Sequence, residues 1–358
     1  MNTADIARLR LYNQQIVSTR LKKPEEVAAW LGGMQGQDYA GCKWSFGLRL
    51  PDATDADIEQ AIACRTIIRT WPMRGTLHFV AAADVRWMLD LLAPRNIAGS
   101  ARRHKQLELD EATFSRCRDI FIKALHGGRQ LTRDDLYKLL EDAGISMNSQ
   151  RGYHILWRSA LDGIICFSAQ RGRQQTFALL DECAPEAVKL PRGEALAELA
   201  KRYFNSRGPA TLQDYMWWSG LAAADARAGL EMIKPQLEQK TVGGQVYWLP
   251  KDVSVPRYPS DIAHAFPGFD EYLLGYKDRS AALDSAHAAK VCPGGNGMFA
   301  STIAVNGRII GIWKRTLKKK SVVITPAPFA SMRQADKELF AGAAGRYANF
   351  LGLPVGDA

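Results

Sequence analysis

Apolar positions recur at helical spacing from the start of the chain, then three times give way to the alternation of a strand pair. Residues 4–19 carry apolar groups at intervals of three and four, which predicts a helix. A second helix starts at Pro24, where proline suits the first turn and Glu25 and Glu26 meet the positive end of the dipole. Gly32-Gly33 stops it. Trp44 to Leu50 alternates and reads as a strand or short buried segment, and Thr54 to Asp57 caps a short helix running to Cys64. Two β-prone runs, 67–71 and 76–80, then flank Pro72-Met73-Arg74-Gly75, the pattern of a hairpin.

That order returns twice. Residues 111–126 form an amphipathic helix, Thr132 and Asp135 cap the next, and Asn148-Ser149 opens a third. Ile164 to Ser168, a turn over Gln170 to Arg173 and a strand from Gln175 complete the second copy. In the third, a helix over 193–205 precedes a second Thr-x-x-Asp cap at Thr211 and Asp214. A further helix begins at Asp225, and the hairpin Leu237–Leu249 turns at Gly243-Gly244. Helices followed by a hairpin, repeating at about 80 residues, is the order of tandem winged helices. The expected fold class is α+β, with winged-helix units at 1–108, 109–190 and 191–258 and a β-rich subdomain at 259–358. A linker is expected around Asp252, Pro256, Pro259, Ser260, Asp261 and Pro267. Beyond it, 269–276, 298–305, 308–313 and 321–325 read as strands, with Asn306-Gly307 as a tight turn and a closing helix over Arg333 to Leu351.

Composition narrows the class. The 358 residues leave room for two to four domains, and 47% hydrophobic with 23% charged residues is ordinary for a soluble protein. No apolar run approaches the roughly 20 residues of a membrane helix. The first residues lack a signal-peptide core, so a cytoplasmic, nucleoid-associated monomer is expected. Six cysteines without a C-x-x-C pair suit reduced, packed thiols, and six scattered histidines give no ligand spacing, so neither metal nor cofactor is expected.

Charge adds a partner. Lys and Arg exceed Asp and Glu by 47 to 37, a net +10, which points to an anionic partner and most economically to duplex DNA. The densest basic run is Arg308, Lys314, Arg315, Lys318, Lys319 and Lys320, with no acid between Val305 and Thr325. Such a run either meets phosphates or guards a sheet edge. Arg171 and Arg173 sit at the second wing tip, and Arg102, Arg103 and Lys105 form a lesser cluster.

Candidate chemistry centres on L-G-G-M-Q-G-Q, Leu31 to Gln37. Two neutral amides, Gln35 and Gln37, stand two residues apart beyond a helix end, on one side of an extended segment. By spacing alone they read as a solvated surface pair. His78 lies on an alternating strand, beside the single charge of Arg74, and reads as structural or catalytic. Asp270 and Glu271, followed by Tyr272, are paired acids at an expected strand start, able to position a base or simply to be solvated. Walker A, G-x-S-x-G, H-E-x-x-H and Rossmann fingerprints are absent from the sequence.

Taken together, M-Q-G-Q-D-Y-A, W-S-F-G-L-R-L, R-G-T-L-H-F-V, G-F-D-E-Y-L-L-G-Y-K-D-R and I-A-V-N-G-R-I-I-G-I-W-K-R resemble the winged-helix DNA glycosylases of the AlkZ/YcaQ type, over about residues 5–350. The resemblance implies three tandem winged helices forming a C-shaped basic cleft for duplex DNA. It implies excision of N-alkylated purines, in some members those within interstrand crosslinks. The family's catalytic signature, glutamine, an aliphatic residue, then glutamine or aspartate, falls here on Gln35, Gly36 and Gln37. Gly36 departs from the aliphatic middle position. The resemblance also places a DNA-contacting hairpin at Val305-Asn306-Gly307-Arg308; Arg74, His78, Asp270 and Tyr272 are further candidates to line the cleft. Two other readings share the fold: a non-catalytic winged-helix regulator, and a basic scaffold for RNA or an acidic protein.

Overall fold

In the computed structural model, residues 1–251 and 261–357 are described; most of the expected linker (Asp252, Pro256, Pro259, Ser260) lies outside them. In chain order the chain forms α1 (Thr3–Asn13), α2 (Pro24–Leu31), β1 (Met34–Gln35), α3 (Tyr39–Gly47), α4 (Asp55–Ala63), β2 (Ile67–Met73) and β3 (Thr76–Ala81). After α5 (Val85–Gly99) and α6 (Ala101–Gln106) come α7 (Glu111–Leu125), β4 (Leu131–Thr132), α8 (Arg133–Asp142), α9 (Arg151–Leu161), β5 (Ile165–Arg171) and β6 (Gln174–Leu179). Then follow α10 (Leu180–Cys183), α11 (Arg192–Arg207), α12 (Leu212–Ser219), α13 (Ala223–Ile233), β7 (Leu237–Val242) and β8 (Gln245–Pro250). The last part holds β9 (Ala263–Phe266), α14 (Glu271–Leu274), α15 (Ala288–Val291), β10 (Thr302–Val305), β11 (Arg308–Leu317), β12 (Val322–Pro328) and α16 (Gln334–Phe350).

The helices-then-hairpin order therefore occurs three times, and the local chemistry explains its punctuation. Thr132 and Asp135 form a reciprocal capping box before α8, and Thr211 and Asp214 form one before α12. Thr54 and Asp57 exchange the same bonds ahead of α4 (2.7 and 3.3 Å), so the Thr-x-x-Asp device marks the first copy too. Each satisfies backbone groups that a helix start leaves without partners.

Two compact units divide the chain: residues 1–58 with 197–358, and residues 59–196. In the second unit the strands run β3-β2-β5-β6-β4, all antiparallel, with the first two hairpins joined through the Arg69↔Phe167 pairing of β2 with β5. Helices α7, α8 and α9 bury Phe114, Phe121, Leu136, Leu140, Ile155 and Leu156. In the first unit β7 and β8 form the third hairpin, and β9, β10, β11 and β12 form a four-stranded antiparallel sheet in sequence order. Helix α16 lies against that sheet, where Tyr347 meets Trp44 and Trp313, each at 5.2 Å between ring centres. A second aromatic cluster, Tyr203, Phe204, Tyr215 and Trp218, ties α11 to α12.

Two sequence expectations are corrected. Trp44 to Leu50 is mostly helical, because Asp38 caps α3 by accepting from Gly41 N at 3.0 Å. Its alternation came from a helix with nearly every side chain buried. Residues 269–276 hold the short helix α14, capped by Asp270, where a strand was expected. Both acids of that stretch are buried.

His264 on β9 is 3% exposed and stacks on Phe266. Burial first, then the Arg346 guanidinium, pulls its pKa down to about 3, against an opposing effect of Asp270. The unfolded chain takes up this proton near pH 6.5 and the folded chain does not, so stability falls as pH drops through that window. Each pH unit below about 6 should remove about 1.4 kcal/mol on account of this residue. Urea denaturation of wild type and His264→Phe between pH 7 and 4.5 should give a shallower pH dependence in the variant; parallel curves would rule the assignment out.

Candidate active site

The glutamine segment is held by its backbone. Helix α2 ends at Gly32, whose φ of +64° belongs to the left-handed region; a Cβ there would lie 3.3 Å from Arg202 Cβ and 3.5 Å from Trp218. The left-handed backbone favours glycine, and the space for a side chain is tight. Arg202 donates to Ala29 O at 3.1 Å, fixing the last turn of α2. The chain then runs through Gly33 and Met34 to Gln35, which is buried, past buried Gly36 to Gln37, which is exposed.

A buried ion pair fixes this path. Arg207 at the end of α11 and Glu271 at the start of α14 meet at 2.6 Å with side chains 0% and 1% exposed. Arg207 Nη1 donates to Leu31 O (2.6 Å) and Nη2 to Gly33 O (3.2 Å). Glu271 Oε1 accepts from Gln35 N at 3.0 Å, and Oε2 accepts from Trp218 Nε1 at 3.1 Å. Two carbonyls and one amide N–H of Leu31–Gln35 are thereby saturated by charged partners. Charge-assisted bonds of this kind are about twice as strong as neutral ones, so the loop sits in a defined place.

The neighbouring acid is used the same way. Asp270 receives Arg49 Nη1 at 2.9 Å and Ser45 Oγ at 2.7 Å, and Arg49 also donates to Gln14 O and Oε1. Burial alone would raise the Asp270 carboxyl, but the Arg49 cation and these hydrogen bonds outweigh it and hold it below the usual carboxylate range. Tyr272 donates to Gly307 O at 2.6 Å. Asp270 and Tyr272, expected to line a cleft, are interior braces, since a carboxylate paired with Arg49 inside the core is not open to substrate.

The hairpin residues fall into two groups. Asn306-Gly307 is a tight turn with positive φ at both residues, as the sequence suggests. It packs inward: Gly307 is buried against Tyr272 and α1, and Asn306 Oδ1 accepts from Asp261 N and Ile262 N. Of the residues expected to form a DNA-contacting tip, Val305 and Gly307 are therefore buried, whereas Arg308 is exposed and donates to Ser280 O. Arg315 is also engaged, pairing with Asp38 at 3.1 Å one residue past Gln37. The exposed charge lies at the other end of β11, where the turn to β12 carries Lys318, Lys319 and Lys320 beyond exposed Lys314.

In the second unit, His78 is fully buried on β3. Its Nδ1 lies 2.8 Å from Thr76 O and its Nε2 3.3 Å from Arg74 Nη2. The two contacts fix the orientation of the ring. Arg173 is exposed at the second wing tip, while Arg171 donates to Gln130 O at 2.6 Å. Among the described residues, no group of three or more His, Cys, Asp or Glu gathers as a metal site.

Comparison with known proteins places this geometry. The profile of the AlkZ-like DNA glycosylases matches residues 28–350. The chain belongs to that family. The interstrand DNA cross-link repair glycosylase of Streptomyces sahachiroi is 23% identical over 344 residues, covering 89% of each chain. The solved structure of DNA glycosylase AlkZ from the same organism shares the fold, with a TM-score of 0.80, 22% identity and 99% of both chains covered. The chain is accordingly a DNA glycosylase, an enzyme acting on N-glycosyl bonds, and no described helix is long and apolar enough to cross a membrane. The sequence singles out the glutamines but not Arg207, Trp218, Asp38 or the interior role of Glu271, since nothing local distinguishes a helix arginine that is buried from one that is solvated.

If the ion pair positions the loop, breaking one side of it must cost more than a surface bond. Glu271→Gln leaves the Arg207 cation buried without a counter-charge and should lower unfolding free energy by about 3 kcal/mol or more. A urea midpoint equal to that of the wild type would show that the pair does not hold the loop.

Proposed function

We propose that the enzyme is a monofunctional glycosylase that hydrolyses the N-glycosidic bond of cationic N-alkylated purines in duplex DNA, including purines joined in interstrand crosslinks. One observation carries this reading: Gln37 is exposed at the end of a backbone that Arg207 and Glu271 pin at Leu31, Gly33 and Gln35. The cross-link repair description of the Streptomyces relative supports the crosslink part.

The chemistry suits neutral amides. Alkylation at guanine N7 or adenine N3 puts positive charge on the base, so it leaves without prior protonation through an oxocarbenium-like transition state. The demand on the protein is then to place a water at the anomeric carbon and to face developing positive charge with fixed oxygen dipoles. In this reading Gln37 contacts the water and buried Gln35 sets the register. A glutamine takes up no proton, so the rate contribution of a general base is absent and the leaving group's charge makes up for it. Phosphate contacts fall to the exposed Lys314, Lys318, Lys319 and Lys320, with Arg173 on the second unit.

Gln37→Ala should slow release of N7-methylguanine from duplex by about 10²-fold, with little change in DNA affinity. Free base is measured in single-turnover assays. Wild-type rates in both Gln35→Ala and Gln37→Ala would move the catalytic groups off this segment.

Affinity for undamaged duplex should fall by orders of magnitude between about 50 and 200 mM salt. Replacing Lys318, Lys319 and Lys320 together by Ala should flatten the slope of log affinity against log salt by up to about three phosphate contacts. An unaltered slope would move the phosphate contacts off this turn.

A further inference from the structure

The second unit contains a cavity of about 430 Å³ that the proposed chemistry does not use. Its size lies within the roughly 300–1,000 Å³ of small-molecule sites. It opens on the face of the β2–β3 hairpin opposite His78: Leu77 and Trp71 line it, and His78, the next residue along β3, points the other way. Trp71 forms the floor, edge-on to Tyr153 (6.4 Å, 85°) and tilted against Phe167 (4.9 Å). Tyr153 is 49% exposed, unusual for a large aromatic packed against others. Tyr137 completes the wall, lying on bare backbone of α9. A Cβ on Gly152 would come within 2.5 Å of its ring, so the glycine makes the space. The rim carries Arg133 and Arg173 against one acid, Asp134. Gln175 Oε1 accepts from buried Arg69 at 3.0 Å, which directs the amide NH₂ as the end free to donate.

We propose that this pocket takes one unpaired nucleobase of a DNA strand, stacked on Tyr153 with the buried Trp71 meeting its edge, and with its flanking phosphodiester between Arg133 and Arg173. Stacking on aromatic rings is the recognition mode that every base shares, and an amide donor meets the acceptor edges of purines and pyrimidines alike. Two cations against one acid match the single charge of a phosphodiester better than the double charge of a free monophosphate. The site gives the enzyme a hold on a displaced nucleotide that is separate from the glutamine segment. It rests on the reading of the chain as a DNA-acting enzyme, and that reading is tested apart from it.

The probe is an undamaged duplex with a single bulged 2-aminopurine, compared with the fully paired duplex of the same sequence. Binding is followed by anisotropy and stacking by 2-aminopurine quenching. The full-length wild type should bind the bulged duplex about tenfold more tightly and quench the probe, the scale of one base stacked on aromatic rings. Tyr153→Ala should lose the preference and the quenching while keeping affinity for paired duplex, and Tyr153→Phe, which keeps the ring, should retain both. Arg173→Ala, on an exposed turn, should narrow the preference without affecting the aromatic wall. Equal affinity for the two duplexes, or a preference that survives Tyr153→Ala, would overturn the proposal. No affinity for either duplex would instead defeat the DNA-binding reading itself. Because no lesion is present, loss of base release elsewhere does not enter the measurement.

Discussion

The Arg207–Glu271 pair is the interaction on which the candidate site depends. Each charge is buried, and a buried ion pair is a weak device for stability, since desolvation consumes most of the attraction. Its value here is positional. Arg207 spends its donors on Leu31 O and Gly33 O, and Glu271 spends an acceptor on Gln35 N. A backbone path with a left-handed glycine between the end of α2 and the two-residue β1 would otherwise find those groups unpaired inside the protein, a cost comparable to a lost hydrogen bond for each. The pair turns an irregular loop into a fixed one.

Asp270 and Glu271 show how two adjacent acids divide that labour. One turns to Arg49 and, through it, to Gln14; the other turns to Arg207 and Trp218. Helices α1, α3, α11 and α12 are thus joined through a single dipeptide. Asp270 is extended and caps α14 while Glu271 opens the helix, and the two side chains reach different partners.

Much of the fold was legible because its signals are local. Thr-x-x-Asp boxes, Gly243-Gly244, Gly172 and Asn306-Gly307 each satisfy a backbone demand within a few residues, so their meaning survives without the tertiary structure. What could not be read depends on distant partners. The run from Trp44 to Leu50 alternates, yet the cap from Asp38 and burial on nearly all sides make it mostly helix. Arg315 looked like one more phosphate contact in a basic run, and only the fold brings Asp38 to it across the chain. The glutamine pair was visible as a motif, but spacing alone did not distinguish exposed Gln37 from buried Gln35; the clamp from α11 and α14 does.

The separation of charge from chemistry has a physical logic. The exposed cations stand on the β11–β12 turn, while around Gln37 the ionised groups are matched: Arg207 by Glu271, and Arg315 by Asp38. A self-compensated pair projects little field beyond its own length, so the amide dipoles set the local electrostatics of the proposed site. For a substrate whose leaving group already bears positive charge, an uncompensated cation beside the sugar would oppose the transition state, and a lone carboxylate would bind the charged ground state as well as the transition state. Neutral oxygens held at fixed positions favour the oxocarbenium-like state without tightly trapping the cationic base before cleavage. The buried pair supplies that fixed placement while adding almost no net charge.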